Sequence, residues 1–214
     1  MPPPRLVLAH ATAGRAVLRW LRVTLCGRGR VPGAGPVILA PNHLSQADIP
    51  LMGSASPRPS WYLGKDELAG GPVGAFLRAF GMVPIARGSG DAAALARISG
   101  LLAAGEVITV FPEGTRSPDG RLHTFRSGVA RMAAAAAAPV VPVGITGTPA
   151  WWPRGARPAL TRPAPATITV RFGSPLSPPR DVPAARRRFT QALTEAVLAL
   201  TGQEHAARFA PVEE

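Results

Sequence analysis

At 214 residues, 46% of them hydrophobic, the chain is long enough to bury a core of its own and too apolar to be disordered. Its 24 basic residues against 12 acidic ones leave a net charge of +12, which points to an anionic partner: nucleic acid, an anionic membrane surface or a phosphorylated substrate. A single cysteine, Cys26, excludes an internal disulfide and a cysteine-based zinc site, and the scattered His10, His43, His123 and His205 lack metal-ligand spacing, so no structural metal is expected and a reducing, cytosolic setting fits.

The N-terminal stretch carries Leu6, Val7, Leu8, Val17, Leu18, Trp20, Leu21, Val23 and Leu25, interrupted by Arg15, Arg19 and Arg22. Arginines four and three apart share one helical face and leave the other apolar. Two readings stand: a helix lying in a membrane interface, or an amphipathic helix packed on its own domain. No apolar run reaches the roughly 18–20 residues that cross a bilayer, and no clean apolar core precedes a small-residue cleavage site, so a cleaved signal peptide is not expected.

Residues 27–35 read as a basic, glycine-rich connector, and Val37 to Ala40 as a short buried strand stopped by Pro41. Asn-His-Leu-Ser-Gln-Ala-Asp follows at 42–48, at the strand end where open α/β sheets bind ligands. Ser45 is an expected N-cap with Asp48 three positions later, and Pro50 confines the helix start to this point. Five residues of helix rotate a side chain by about 140°. His43 and Asp48 therefore meet only if His43 sits on the loop and Asp48 in the first turn.

Trp61 to Leu63 reads as a second strand, followed by Gly-Lys-Asp-Glu-Leu at 64–68 and a short helix to about Phe80. Gly81 to Arg87 is a third strand ending in arginine. Ser89 or Asp91 caps a helix with Leu95, Ile98, Leu101 and Leu102 on one face and Gly105 as its stop. Val107 to Phe111 is the clearest strand, and Phe-Pro-Glu-Gly-Thr-Arg-Ser at 111–117 lies at its end. After a turn at 118–124, a helix with an alanine run ends at Pro139, and Val140 to Ile145 forms another buried strand. Residues 146–165 read as a long surface loop, Thr167 to Phe172 as a strand and Ala184 to Leu200 as an amphipathic helix. Alternating elements imply an α/β fold, a two- or three-layer sandwich with a largely parallel central sheet flanked by helices, preceded by the N-terminal amphipathic helix. The expected divisions are residues 1–31, a domain over 32–202 and a tail at 203–214.

A histidine oriented by a carboxylate is a general base for a hydroxyl. No G-x-S-x-G elbow is present, so the hydroxyl is expected to belong to the substrate. Arg116 offers a planar fork of donors for phosphate oxygens, with Glu113, Gly114 and Thr115 beside it. Arg87 is a second phosphate candidate and Lys65, the only lysine, a weaker third. Singly, each has a structural reading: a capping pair, an ordinary turn with an ion pair, a solvated arginine. Their recurrence at successive strand ends unites them.

These stretches resemble the four motifs of the glycerolipid acyltransferases, the 1-acylglycerol-3-phosphate acyltransferase group: NHLSQAD at 42–48, GMVPIAR at 81–87, FPEGTRS at 111–117 and VVPVGI at 140–145, in order. GKDEL at 64–68 and FRSGVARMA at 125–133 resemble its linking pieces, and the likeness covers roughly residues 35–175. Pro84 and the absence of a clearly hydrophobic N-terminal segment are departures. The resemblance implies that His43 deprotonates an acceptor hydroxyl, that Asp48 orients it, and that the hydroxyl attacks the thioester of acyl-CoA or acyl carrier protein without an acyl-enzyme. Arg87, Glu113, Gly114, Thr115 and Arg116 would bind the acceptor, with no cofactor beyond the thioester co-substrate. The expected product is phosphatidic acid, with another lysolipid or a glycolipid as alternative acceptor, at the cytoplasmic face of the membrane by peripheral or monotopic attachment to its anionic surface. A reading from another class is a non-catalytic basic module for membrane or nucleic acid; dispersed arginines and the absence of zinc-finger or RNP-type motifs argue against nucleic acid.

Overall fold

The computed structural model describes residues 10–65, 70–79, 81–85, 90–157, 159, 161, 163–164 and 167–211. Seven strands form one sheet: β1 (Thr24–Cys26), β2 (Val37–Pro41), β3 (Ser60–Lys65), β4 (Met82–Ile85), β5 (Val107–Thr109), β6 (Val140–Thr146) and β7 (Thr169–Phe172), in the order β1-β7-β6-β2-β5-β3-β4. All pairings are parallel except β6 with β7. The central strands are apolar on both faces because both are covered. Ile38, Ala40, Ile108 and Val140 pack under Ile98 and Leu102 of α4 (Gly90–Ala103), Val129 and Ala133 of α5 (Gly128–Ala136), and Leu193 and Val197 of α7 (Pro183–Thr201). Val37, Leu39, Val107, Val141 and Ile145 face the other way, against Leu51, Met52 and Ala55 of α2 (Asp48–Ala55). This is the three-layer form of the expected sandwich. Gly144 permits a close helix–sheet contact, since a Cβ there would lie 2.6 Å from Leu200 Cβ.

The N-terminus departs from the single amphipathic helix expected. A π-helical turn at His10–Gly14 leads into α1 (Arg15–Trp20), only 6 residues long, and the chain then enters the sheet as β1. Val17 and Leu18 pack against the core, so the apolar side of α1 covers its own domain, while Trp20 remains 42% exposed. Residues 1–9 lie outside the described residues. Thr24 to Cys26 evaded the sequence pattern because this edge strand is three residues long and mostly exposed.

The loop expected over 146–165 contains a short helix, α6 (Thr148–Trp151), with proline in its first turn. Residues 203–208 run back along the turn at 122–124 through backbone hydrogen bonds from Leu122 to Glu204, Ala206 to Leu122 and Thr124 to Arg208. The Arg126 guanidinium lies 5.4 Å from the Phe209 ring centroid and adds to this seam. The short α3 (Gly71–Ala79) completes the crossover between β3 and β4.

Candidate active site

Three adjacent parallel strands, β6, β2 and β5, deliver their C-terminal ends to one place. The end of β2 carries Asn42 and His43. The Asn42 carboxamide mimics one more ladder rung: Oδ1 accepts the Ile145 N–H at 2.7 Å, and Nδ2 donates to the Ile145 carbonyl at 2.9 Å and to Gln203 Oε1 at 2.8 Å. The next residue is thereby set at the sheet edge.

Asp48 opens α2, as required for the pair to meet. His43 Nδ1 lies 3.0 Å from Asp48 Oδ2, and the same oxygen accepts the N–H groups of Leu44 at 2.6 Å and Ser45 at 2.8 Å. The Ser45 N–H contact is the carboxylate half of a capping box. The hydroxyl half differs from expectation: Ser45 Oγ accepts the Ala47 N–H at 3.1 Å and donates to the Trp152 carbonyl at 2.6 Å. Asp48 Oδ1 accepts the Thr148 hydroxyl at 2.7 Å. Surrounded by four donors and fully buried, the carboxylate acts as an acceptor, so His43 Nδ1 carries the proton and Nε2 presents a lone pair. Nε2 has no hydrogen-bond partner among the described residues, and His43 is 8% exposed.

The loop after β5 holds His43 from three directions. The Phe111 ring stacks on the imidazole at 4.0 Å between centroids and 25° between planes. Glu113 Oε1 accepts the His43 N–H at 2.8 Å, and the His43 carbonyl accepts the Ser117 N–H at 2.8 Å. Glu113 Oε2 accepts the His123 N–H at 3.0 Å. Burial pushes the Glu113 carboxyl up to about 7, against the two backbone hydrogen bonds that lower it. The acceptor contact expected of Glu113 does not fit this position: at 1% exposure, with both oxygens taken by backbone donors, it braces the site from inside.

Gly114 adopts φ +76°, and a Cβ there would lie 2.9 Å from Arg126 Nε, so only glycine makes this turn without strain. Gly114 is exposed, and Thr115 and Arg116 are half-buried beside it. The Arg116 carbonyl accepts Arg154 Nη1 at 2.9 Å. With Ser45–Trp152 and Thr148–Asp48, this is the third bond tying segment 147–154 over the histidine loop. Lys65 ends β3, but its side chain lies outside the described residues, as does Arg87 entirely.

Asn42, Phe111, Ser117, Thr148 and Arg154 were not singled out from sequence. Thr148 carried a local signal, Gly-Thr-Pro at a helix start. Its reach to Asp48, one hundred residues earlier, has no local signature.

The arrangement is a base without a protein nucleophile. Ser45 is fully buried with its hydroxyl engaged, and the hydroxyls of Thr148 and Ser117 donate to Asp48 and to the Arg121 carbonyl. None of these three hydroxyls is free to act as a nucleophile for His43. No group of three or more His, Cys, Asp or Glu side chains that could hold a metal occurs among the described residues. A cavity of about 670 Å³ opens elsewhere, between α7, Thr124–Ser127 and the segment around His205 and Phe209, and none of the residues around His43 lines it.

The sequence profile of the family described as Acyltransferase matches residues 22–146. The chain is 34% identical over 137 residues to a lyso-ornithine lipid O-acyltransferase of Pseudomonas aeruginosa, covering 60% of this chain and 52% of that one. It is 32% identical over 158 residues to a 1-acyl-sn-glycerol-3-phosphate acyltransferase of Chlamydomonas reinhardtii, covering 72% of this chain and 47% of that one. The chain thus spans about half the length of these curated relatives. Among solved structures, the 1-acyl-sn-glycerophosphate (LPA) acyltransferase PlsC of Thermotoga maritima superposes with a TM-score of 0.72 at 25% identity, covering 92% of this chain and 81% of that one.

Proposed function

The chain belongs to the acyltransferase family, and from that premise we propose that it is an O-acyltransferase moving a fatty acyl group from acyl-CoA or acyl carrier protein to the free hydroxyl of a lysolipid. The observation that carries this reading is the His43–Asp48 pair at 3.0 Å, with Nε2 unpartnered among the described residues and the hydroxyls of Ser45, Ser117 and Thr148 engaged elsewhere. His43 Nε2 takes the acceptor's hydroxyl proton as the oxygen attacks the thioester carbonyl carbon. The C–S bond then breaks, and the departing thiolate takes the proton from the imidazolium, leaving an ester, a free thiol and a neutral base. General-base catalysis by His43 is typically worth about 10²–10⁴ in rate, and Asp48 holds its tautomer and stabilises the imidazolium.

The acceptor we favour is 1-acylglycerol-3-phosphate, giving phosphatidic acid in phospholipid biosynthesis. Support comes from the relatives' names and from Arg116 in the loop after β5, with Arg87 as its sequence companion. The P. aeruginosa relative favours a second acceptor, a lyso-ornithine lipid. Rates with both acceptors and labelled acyl-CoA or acyl carrier protein decide between them: preference for lysophosphatidate supports the first, preference for the lyso-ornithine lipid the second, and transfer to no lysolipid from either donor defeats both.

Peripheral attachment to the cytoplasmic face of the membrane completes the reading. No described helix is long and apolar enough to cross a bilayer. Trp20, 42% exposed, meets Trp151 edge-on at 5.6 Å, and Trp151 meets Trp152 at 6.0 Å. Exposed Arg15, Arg19 and Arg22 flank this cluster, a combination suited to anionic headgroups. The Trp152 carbonyl is bonded to Ser45, so a docked membrane would lie close to the base.

A further inference from the structure

A second histidine–aspartate pair lies behind the first. His123 is fully buried, with Nε2 2.9 Å from Asp119 Oδ1. The same oxygen accepts the Arg121 N–H at 3.2 Å and lies 3.3 Å from Ser117 Oγ, while Oδ2 lies 3.6 Å from Arg208 Nη2. Burial alone would raise the Asp119 carboxyl, yet the hydrogen bonds from His123, Arg121 and Ser117 hold it down at about 2. The carboxylate is therefore the acceptor, and His123 Nε2 carries the proton. Nδ1 is then a bare acceptor, and it is a buried side-chain nitrogen without a partner among the described residues.

The two pairs are mirror images. His43 donates through Nδ1 and keeps Nε2 for chemistry; His123 donates through Nε2 and keeps Nδ1 in a sealed interior. A sealed ring reaches no substrate, so His123 is not a second base. An apolar side chain would fill the space without orphaning an acceptor, and a polar ring kept at that cost needs a role.

The role follows from connectivity. The His43 N–H donates to Glu113 Oε1, and Glu113 Oε2 accepts the His123 N–H. From the His123 ring the path runs to Asp119, then to the Ser117 hydroxyl, whose proton is shared with the Arg121 carbonyl at 2.8 Å. It closes where the Ser117 N–H meets the His43 carbonyl. The circuit leaves the His43 peptide on one side and returns to it on the other.

We propose that His123 is a positioning residue for His43: its bond to Asp119 fixes the 117–123 turn, so that Glu113 and Ser117 hold the His43 peptide from both sides and keep the ring aligned with Asp48. This inference rests on the acyltransfer reading for its kinetic readout. The test compares His123→Leu, which removes the donor, with His123→Gln, whose amide nitrogen reaches about as far as Nε2. Each is assayed on lysophosphatidate vesicles with acyl-CoA, with melting temperature recorded. NMR follows the His43 Nδ1–H resonance. His123→Leu should lose about tenfold in kcat with acceptor KM within about twofold, because misalignment acts on the reacting geometry rather than on binding. Its His43 resonance should shift or broaden, and His123→Gln should restore both signals. Should His123→Leu fail to fold, Asp119→Asn, on a partly exposed side chain, replaces it in the same assays. Wild-type kcat and an unmoved His43 resonance in the donor-less variant would overturn the proposal, as would a glutamine variant no better than leucine. If the wild type acylates no lysolipid, the functional reading falls, and the NMR comparison alone judges the coupling.

Discussion

The Thr148 hydroxyl donates to Asp48 Oδ1 at 2.7 Å, on the carboxylate oxygen opposite the one that holds His43. Thr148 thus fixes the rotation of the group that orients the base, and it links the end of β6 to the start of α2. Thr148→Val keeps the shape and removes the donor. The expected result is a fall in kcat of about tenfold, with Thr148→Ser close to wild type, read from steady-state kinetics at saturating donor.

Glu113 has a pH signature. Its folded carboxyl sits at about 7 against an ordinary 4.5, so the folded state binds this proton more tightly than the unfolded one. The contribution to stability is fully present below about pH 4.5 and is lost as pH rises through about 7. Urea midpoints of the wild type should decline across that window. Glu113→Gln should lack the decline and be less stable by about 1–3 kcal/mol, since its NH₂ group must face one of the two backbone N–H donors.

Asn42 replaces a ladder rung between β2 and β6 with its side chain. Asn42→Ala leaves the buried N–H and C=O of Ile145 without these partners, so a loss of about 2–3 kcal/mol is expected. Denaturant titration measures it, with Ile38→Val as a core control expected to cost less than about 1.5 kcal/mol.

The aromatic cluster gives a prediction at the membrane. Trp20→Ala with Trp152→Ala should weaken binding to anionic vesicles by about tenfold and leave binding to neutral vesicles near background, since apolar insertion and charge act together. Co-sedimentation measures both. Unchanged binding to anionic vesicles would move attachment away from this face.

The three strands that carry the site were readable because both faces of each are buried, which writes a continuous apolar run into the sequence. The His43–Asp48 geometry was readable because Pro50 and Asp48 together fix where α2 starts. Glu113 reads in sequence as an acceptor contact because a carboxylate beside a glycine turn looks the same whether it faces a ligand or, as in the fold, two backbone N–H groups. Thr148 bonds to a partner one hundred residues earlier, chosen by the tertiary fold, whereas His123 pairs with Asp119 only four residues earlier, in a turn where a lone histidine carries no ligand spacing. The N-terminal helix is shorter than its amphipathic pattern implies because Arg22, Val23 and Leu25, which extend that pattern, belong to the link after α1 and to β1.

The central claim is that His43 is the base for a hydroxyl that comes from the substrate. The measurement is transfer of a labelled acyl group from acyl-CoA by the wild type and by His43→Ala, with thiol release followed in the presence and absence of lysolipid. Thiol release should require acceptor, no label should remain on the protein, and His43→Ala should fall by about 10²–10⁴ in kcat. A His43→Ala enzyme of undiminished rate, or a covalent acyl-protein formed without acceptor, would contradict it.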